Sequence, residues 1–282
     1  MAETGFPLSN VDRLMKSKIQ MILAVLAAFV LPSCFQTATT IRLNKDGSGT
    51  LTEETTLGAQ ALAMMAQFAA FGGGQGPDPV ADMASEEKAR ERAKGLGEGV
   101  TLEKVEPIPG KGARLVYRFA DINKLKVSTA DVAAGMPEMP GAQEAVAGAK
   151  ADPLTFKYVD GVLTITTPKP QKSDESVDPP VDLEEQLANP EMEAMMAQMF
   201  SDMRMSIKVV IEPGIAESTA SHVEGNTVTL MDVEMGKLMK DPENLKKLSK
   251  VDQSDPAAAM EVLKGIDGAK METKPEITVK VK

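Results

Sequence analysis

The sequence predicts an α+β fold: a mainly antiparallel β-sheet built from hairpins, with helices packed on one face. Three observations carry that expectation. Short alternating apolar stretches recur in pairs around turns rich in Gly, Asp and Asn. Helical periodicities fall between those pairs instead of following each strand, so strict strand–helix–strand winding is not the pattern. Aromatic residues make up only 4%, with no Trp, against 19 Met, which predicts an aliphatic, Met-filled and deformable interior.

The first two strands fall at 39–44 and 50–57, around the turn Lys45-Asp46-Gly47-Ser48-Gly49. A helix over 59–71 carries Leu62, Met64, Met65 and Phe68 at helical spacing and ends at Gly72-Gly73-Gly74. A charged helix follows over 80–96, with Glu86 and Arg90 four apart as a supporting pair and Gly97 and Gly99 as stop signals. Strands at 100–105 and 113–119 then form a hairpin across 107–112. Leu115, Tyr117 and Phe119 share one face of the second strand, and Arg114 and Arg118 share the other.

Residues 129–152 are rich in Ala, Gly, Pro and Met without a period and read as a flexible loop. Strands at 154–159 and 162–167 flank Asp160-Gly161, a pair suited to a type I′ turn. Residues 168–180, rich in Pro, Ser and charge, read as an exposed linker. A helix over 183–203 comes next, with Pro190 as a break. A strand at 205–211 puts Ile207, Val209 and Ile211 on one face, and strands at 216–223 and 227–231 pair around Glu224-Gly225-Asn226. Helices at 235–248, interrupted by Pro242, and at 256–266 precede a terminal strand at 276–281.

The N-terminal segment has a different character. Lys16 and Lys18 precede a 12-residue stretch, Ile19 to Val30, interrupted only by Gln20, and the string Leu31-Pro32-Ser33-Cys34 closes it. The stretch has the length of a signal-peptide core and is short of the roughly 20 residues that cross a bilayer. The whole resembles a bacterial lipoprotein signal: Leu31 and Ser33 fit the pattern, and Pro32 stands where a small residue is usual. The resemblance implies cleavage between Ser33 and Cys34 and acylation of Cys34 on sulfur and nitrogen, with palmitate-type chains holding an exported domain to a membrane of the cell envelope. Phe35 stands where an aspartate would retain some lipoproteins at the inner membrane, which implies the outer one. Met15 is then the expected start of the signal.

The chain therefore divides into an upstream extension at 1–14, a signal peptide at 15–33, a first α+β half at 34–128, the flexible loop at 129–152 and a second α+β half at 153–282. The two halves share one short repetition, Ala63-Met64-Met65-Ala66-Gln67-Phe68 against Ala194-Met195-Met196-Ala197-Gln198-Met199-Phe200. The first strand pair, with Asp46-Gly47-Ser48-Gly49-Thr50, is similar to a pattern in bacterial lipoproteins of uncharacterised family that begin with a β-hairpin after the anchor. It resembles, at a distance, the mycobacterial LppM-type envelope domains.

Charge and cysteine usage exclude several classes. Without residues 1–33 the chain has 28 basic against 39 acidic residues, a formal charge of −11. Such a surface disfavours nucleic acid, whose phosphates need clustered Lys and Arg, and anionic lipid alike. With Cys34, the one cysteine, consumed by acylation, no thiol remains for a disulfide, a nucleophile or a zinc cage.

Four constellations invite chemistry. Residues 44–51 imitate the start of a calcium loop, but Thr55 replaces the bidentate glutamate at its twelfth position, so a Gly-rich hairpin turn is expected. Met192, Met195, Met196, Met199 and Met203 repeat at core-face spacing, without Cys or His to strengthen a copper site. His222 lies on a predicted strand beside Ser218 and Ser221, where strand neighbours do not supply triad geometry. Acidic pairs such as Glu53-Glu54 and Glu184-Glu185 single out no cleft. No catalytic residue, cofactor or metal is expected. The sequence points first to a non-enzymatic envelope lipoprotein with a structural or protein-interaction role. An apolar-ligand carrier lined by Met64, Met65, Met195, Met196 or Met199, and a hydrolase with a carboxylate or His222 site, are the alternatives.

Overall fold

The computed structural model describes residues 35–59, 61–63, 79–128, 152–168, 202–241, 243–244, 247 and 256–282. Thirteen strands account for most of the described elements. They are β1 (Phe35–Leu43), β2 (Gly49–Leu57), β3 (Thr101–Ile108), β4 (Gly112–Phe119), β5 (Lys126–Val127), β6 (Leu154–Val159), β7 (Val162–Thr166), β8 (Arg204–Ile211), β9 (Ile215–Ser218), β10 (Val223–Glu224), β11 (Thr227–Glu234), β12 (Ala269–Met271) and β13 (Glu276–Val281). Among the described residues the helices are α1 (Pro79–Met83), α2 (Glu86–Gly95), α3 (Met235–Lys240) and α4 (Pro256–Leu263).

The strands form two sheets. The larger has the order β10-β11-β8-β1-β2-β4-β3, with β12 also on β11; the smaller has the order β5-β6-β7-β13-β9. Neighbouring strands are antiparallel except β1 and β8, which run parallel from Gln36 opposite Arg204 to Leu43 opposite Ile211. A mainly antiparallel sheet built from hairpins is therefore what forms, with one long-range parallel pair at its centre.

The sequence places helices over the apolar face of the sheet; much of that cover comes instead from the second sheet. Along β1 the residues Phe35, Thr37, Thr39, Ile41 and Leu43 are buried and alternate with more exposed ones. Ile41, Leu51, Tyr117, Phe119, Ile207, Val209 and Ile211 of the large sheet join Leu154, Phe156, Leu163, Ile165, Ile277 and Val279 of the small one in a single core. Two alternating sheets each present one apolar face, and packing them on each other satisfies both. Each large aliphatic or aromatic side chain so buried contributes about 1.5–3 kcal/mol. Ala93 of α2 and Leu96 just beyond it extend this core, and Val233, Leu238 and Ile266 form a smaller one under α3 and α4.

Several boundaries move for identifiable reasons. The helix expected over 80–96 is two helices, because the Ser85 hydroxyl accepts from the Lys88 amide at 3.4 Å and starts α2 afresh as its N-cap. The strand expected to stop at 105 runs on to Ile108 through Pro107; β3 is an edge strand, where a missing N–H is tolerated. The strand expected over 216–223 is divided, with β9 pairing with β13 in the small sheet and β10 pairing with β11 in the large one. The segment 256–266 leaves helical geometry after Leu263, and Ile266 turns into the smaller core. Asp202 and Met203 precede β8 without helical structure.

Other elements match closely. Asp160 and Gly161 both take positive φ (50° and 77°), as a two-residue type I′ hairpin requires. The terminal strand spans Glu276–Val281. The remainder of the helices at 59–71 and 183–203, the loop at 129–151 and the linker at 169–180 lie outside the described residues. The short strands β5 and β12 and the 3-10 turn Ile122–Lys124 carry too little periodicity to be read from sequence.

Candidate functional site

Ser33 and Cys34, the expected cleavage and lipidation residues, lie outside the described residues, but the next residue does not. Phe35 is the first residue of β1 and is 8% exposed. Strand β1 is interior to the large sheet, between β8 and β2. A group held on Cys34 is thus joined to the middle of the sheet with no spacer.

The strand ends around Phe35 are flush. Phe35 lies opposite Leu57, the last residue of β2, and Gln36 lies opposite Arg204, the first of β8. The Leu57 amide donates to the Lys111 carbonyl at 2.6 Å, which places the β3–β4 turn in the same row. On the other side Glu234, the last residue of β11, pairs with Arg204, and the Met235 amide donates to the Met203 carbonyl at 2.9 Å. Six strands, β3, β4, β2, β1, β8 and β11, therefore end together. The turn Pro109-Gly110-Lys111 is exposed there.

The acidic pair Glu53-Glu54 is not a carboxylate dyad. Successive residues of a strand face opposite sides. Glu53 meets Arg92 of α2, with Nη2 to Oε1 at 2.8 Å, in a partly buried ion pair. Glu54 meets Arg114 on the other side, where Nε donates at 2.8 Å in an exposed pair. Behind Glu53 the hydroxyl of Tyr117 is buried close to the Glu53 carboxylate, without a partner at full hydrogen-bond geometry. Burial first, then the Glu53 carboxylate, pushes this phenol far above its ordinary value, against the opposing charge of Arg92.

His222 lies in the crossing from β9 to β10, not on a strand, and is half-buried. Its carbonyl accepts from the Thr229 amide at 2.9 Å. Ser221 donates its amide and hydroxyl to Glu272, at 2.6 and 3.0 Å, and the Lys274 amide adds a third bond at 3.1 Å. Glu272, 2% exposed, pins this crossing to the approach to β13. Burial raises its pKa, but the three hydrogen bonds and the charge of Lys274 outweigh burial and hold it below the usual carboxylate value. The serine hydroxyl is thereby committed to a carboxylate instead of a general base.

The turn from Asn44 to Ser48 closes on itself as expected for a hairpin. Asp46 accepts from the Ser48 amide at 3.0 Å and from its hydroxyl, and the Tyr158 hydroxyl donates to the Lys45 carbonyl. Among the described residues no group of three or more His, Cys, Asp or Glu gathers to hold a metal, and no helix is long and apolar enough to cross a membrane.

One further cluster was not legible beforehand: Arg204 grips Asp232 with two bonds, at 2.8 and 2.7 Å, and Lys208 lies 3.3 Å away. Burial raises Asp232, yet these two cations hold it below its ordinary value. Its signal would have been the registry of β8 against β11, which sequence separation hides. Of the methionines singled out, Met203 is half-buried before β8, whereas Met64, Met65, Met192, Met195, Met196 and Met199 lie outside the described residues, as do Glu184 and Glu185.

No protein-family model and no curated protein matches this sequence. Among solved structures, the chain is similar to the folded domain of LppM from Mycobacterium tuberculosis, determined by NMR, at 9% identity and a TM-score of 0.28. That likeness covers 73% of this chain and 85% of the LppM domain. A score of this size assigns neither a common fold nor a common role.

Proposed function

We propose that this protein is a lipid-anchored module of the bacterial cell envelope, held by acyl chains on Cys34 and working there without catalysis, as a structural or protein-interacting domain. The observation that carries the reading is the order Lys16, Lys18, the apolar stretch to Val30, and Leu31-Pro32-Ser33-Cys34, followed at once by β1 at Phe35. Cleavage before Cys34 would remove the signal and leave all thirteen described strands whole. Anchoring would draw on about 0.8 kcal/mol per buried methylene, with more than one chain needed for stable attachment. An acidic domain gains little from anionic headgroups, so the chains would carry the attachment.

The non-catalytic part of the reading is supported by how the reactive groups are used. Ser221 is bonded to Glu272, Glu53 to Arg92, and Glu54 to Arg114. The test is expression of the full chain in a bacterium fed labelled palmitate. The wild type should carry label and sediment with membranes; Cys34→Ala should do neither. A soluble, unlabelled wild type overturns the reading.

A further inference from the structure

We infer that the flush end of the large sheet, where β1 begins, rests on the lipid surface, and that the turn from Asn44 to Ser48 at the far end of β1 points away from it. The inference rests on the lipidation of Cys34 proposed above. One residue spans at most about 3.6 Å. An acylated Cys34 therefore holds Phe35 within a few ångströms of the headgroup region. Phe35 cannot act as a tether, because it is buried and paired with Leu57 of β2. The ends of β2, β8, β4, β3 and β11 lie in one row with it and are carried to the same depth.

The chemistry of the two ends fits this orientation. At the flush end Phe35 and Leu57 are buried and Met203 and Met235 half-buried, with Lys111 exposed on the β3–β4 turn and Lys237 exposed on α3. Of the carboxylates near that end, Glu54 and Glu106 share Arg114 and Glu234 pairs with Lys237; Asp202 lies there as well. The far end carries Asp46 beside Lys45, Glu224, and Glu212, which Arg42 pairs at 2.8 Å. Strand β1 has nine residues, and at roughly 3.3 Å per residue it separates the ends by about 26 Å. That is several times the screening length of about 8 Å at physiological salt. This orientation keeps the Asp46 and Glu224 carboxylates beyond the reach of an anionic headgroup layer.

The experiment uses the full lipidated protein in vesicles of phosphatidylethanolamine and phosphatidylglycerol in equal parts. Acylation consumes the native cysteine, so single labels can be placed by Lys111→Cys, Lys237→Cys and Lys45→Cys. Lipid-borne quenchers should quench labels at 111 and 237 several-fold more than the label at 45. Equal quenching, or stronger quenching at 45, in protein that still sediments with the vesicles overturns the orientation and leaves the anchor standing. Protein that carries no acyl chain overturns both. A flexible Gly-Ser spacer inserted between Cys34 and Phe35 should erase the difference while membrane binding persists. A difference that survives the spacer overturns the claim that the missing linker sets the orientation.

Discussion

Glu53 and Glu54 are adjacent in the chain, and each holds a different arginine on a different face of the same sheet. Their surroundings decide what each contributes. The Glu53 and Arg92 side chains are 16% and 25% exposed, whereas those of Glu54 and Arg114 are 37% and 45% exposed. Glu53→Ala leaves a guanidinium partly buried and should cost about 1–3 kcal/mol. Glu54→Ala breaks a solvated pair and should cost at most about 1 kcal/mol. Urea titration of the two variants beside wild type measures the difference.

Tyr117 offers a substitution of opposite sign. Its ring fills the core between the sheets, while its hydroxyl is buried without a partner at full hydrogen-bond geometry. A desolvated hydroxyl that makes no hydrogen bond gains nothing from folding. Tyr117→Phe keeps the ring and removes that burden, so it should leave stability unchanged or raise it by up to about 1 kcal/mol. Thermal unfolding of the variant provides the check; a clear loss would mean that the hydroxyl has a bonded partner in solution.

Glu272 should make the fold acid-sensitive. Its pKa in the folded protein lies below the ordinary 4.5, so its contribution is fully present above that value. The contribution is lost as pH falls through the lower, folded-state pKa. Glu272→Gln cannot reproduce all three accepted bonds and should cost about 1–3 kcal/mol at neutral pH. The gap between wild type and variant should then narrow below about pH 4.5. Stability curves for both proteins between neutral and acid pH test this, and a constant gap would assign the carboxylate a purely steric part.

Local signals made part of this fold readable and topology hid the rest. Asp160-Gly161 declares its hairpin because few other pairs tolerate two positive φ angles. The terminal strand is equally plain, since Ile277 and Val279 alternate with polar neighbours. The parallel pairing of β1 with β8 joins residues far apart in sequence, and no local pattern encodes such a partner. The division of 216–223 between two sheets is hidden for the same reason: it depends on Glu272, some fifty residues downstream, which accepts from Ser221. A sheet covering a sheet was missed because an alternating strand announces that one face is buried, not what buries it. Of the proposed attachment site, the sequence shows Cys34 and its flanks, while its direct junction with the sheet emerges only from the start of β1 at Phe35.

Anchoring through Cys34 is measured most directly by the intact mass and N-terminal residue of the mature protein recovered from bacterial membranes. A lipid-anchored protein begins at Cys34 and carries acyl groups, and the Cys34→Ala protein is neither cleaved there nor acylated. A wild-type protein that retains residues 15–33, or begins at Cys34 without acyl mass, would contradict such anchoring.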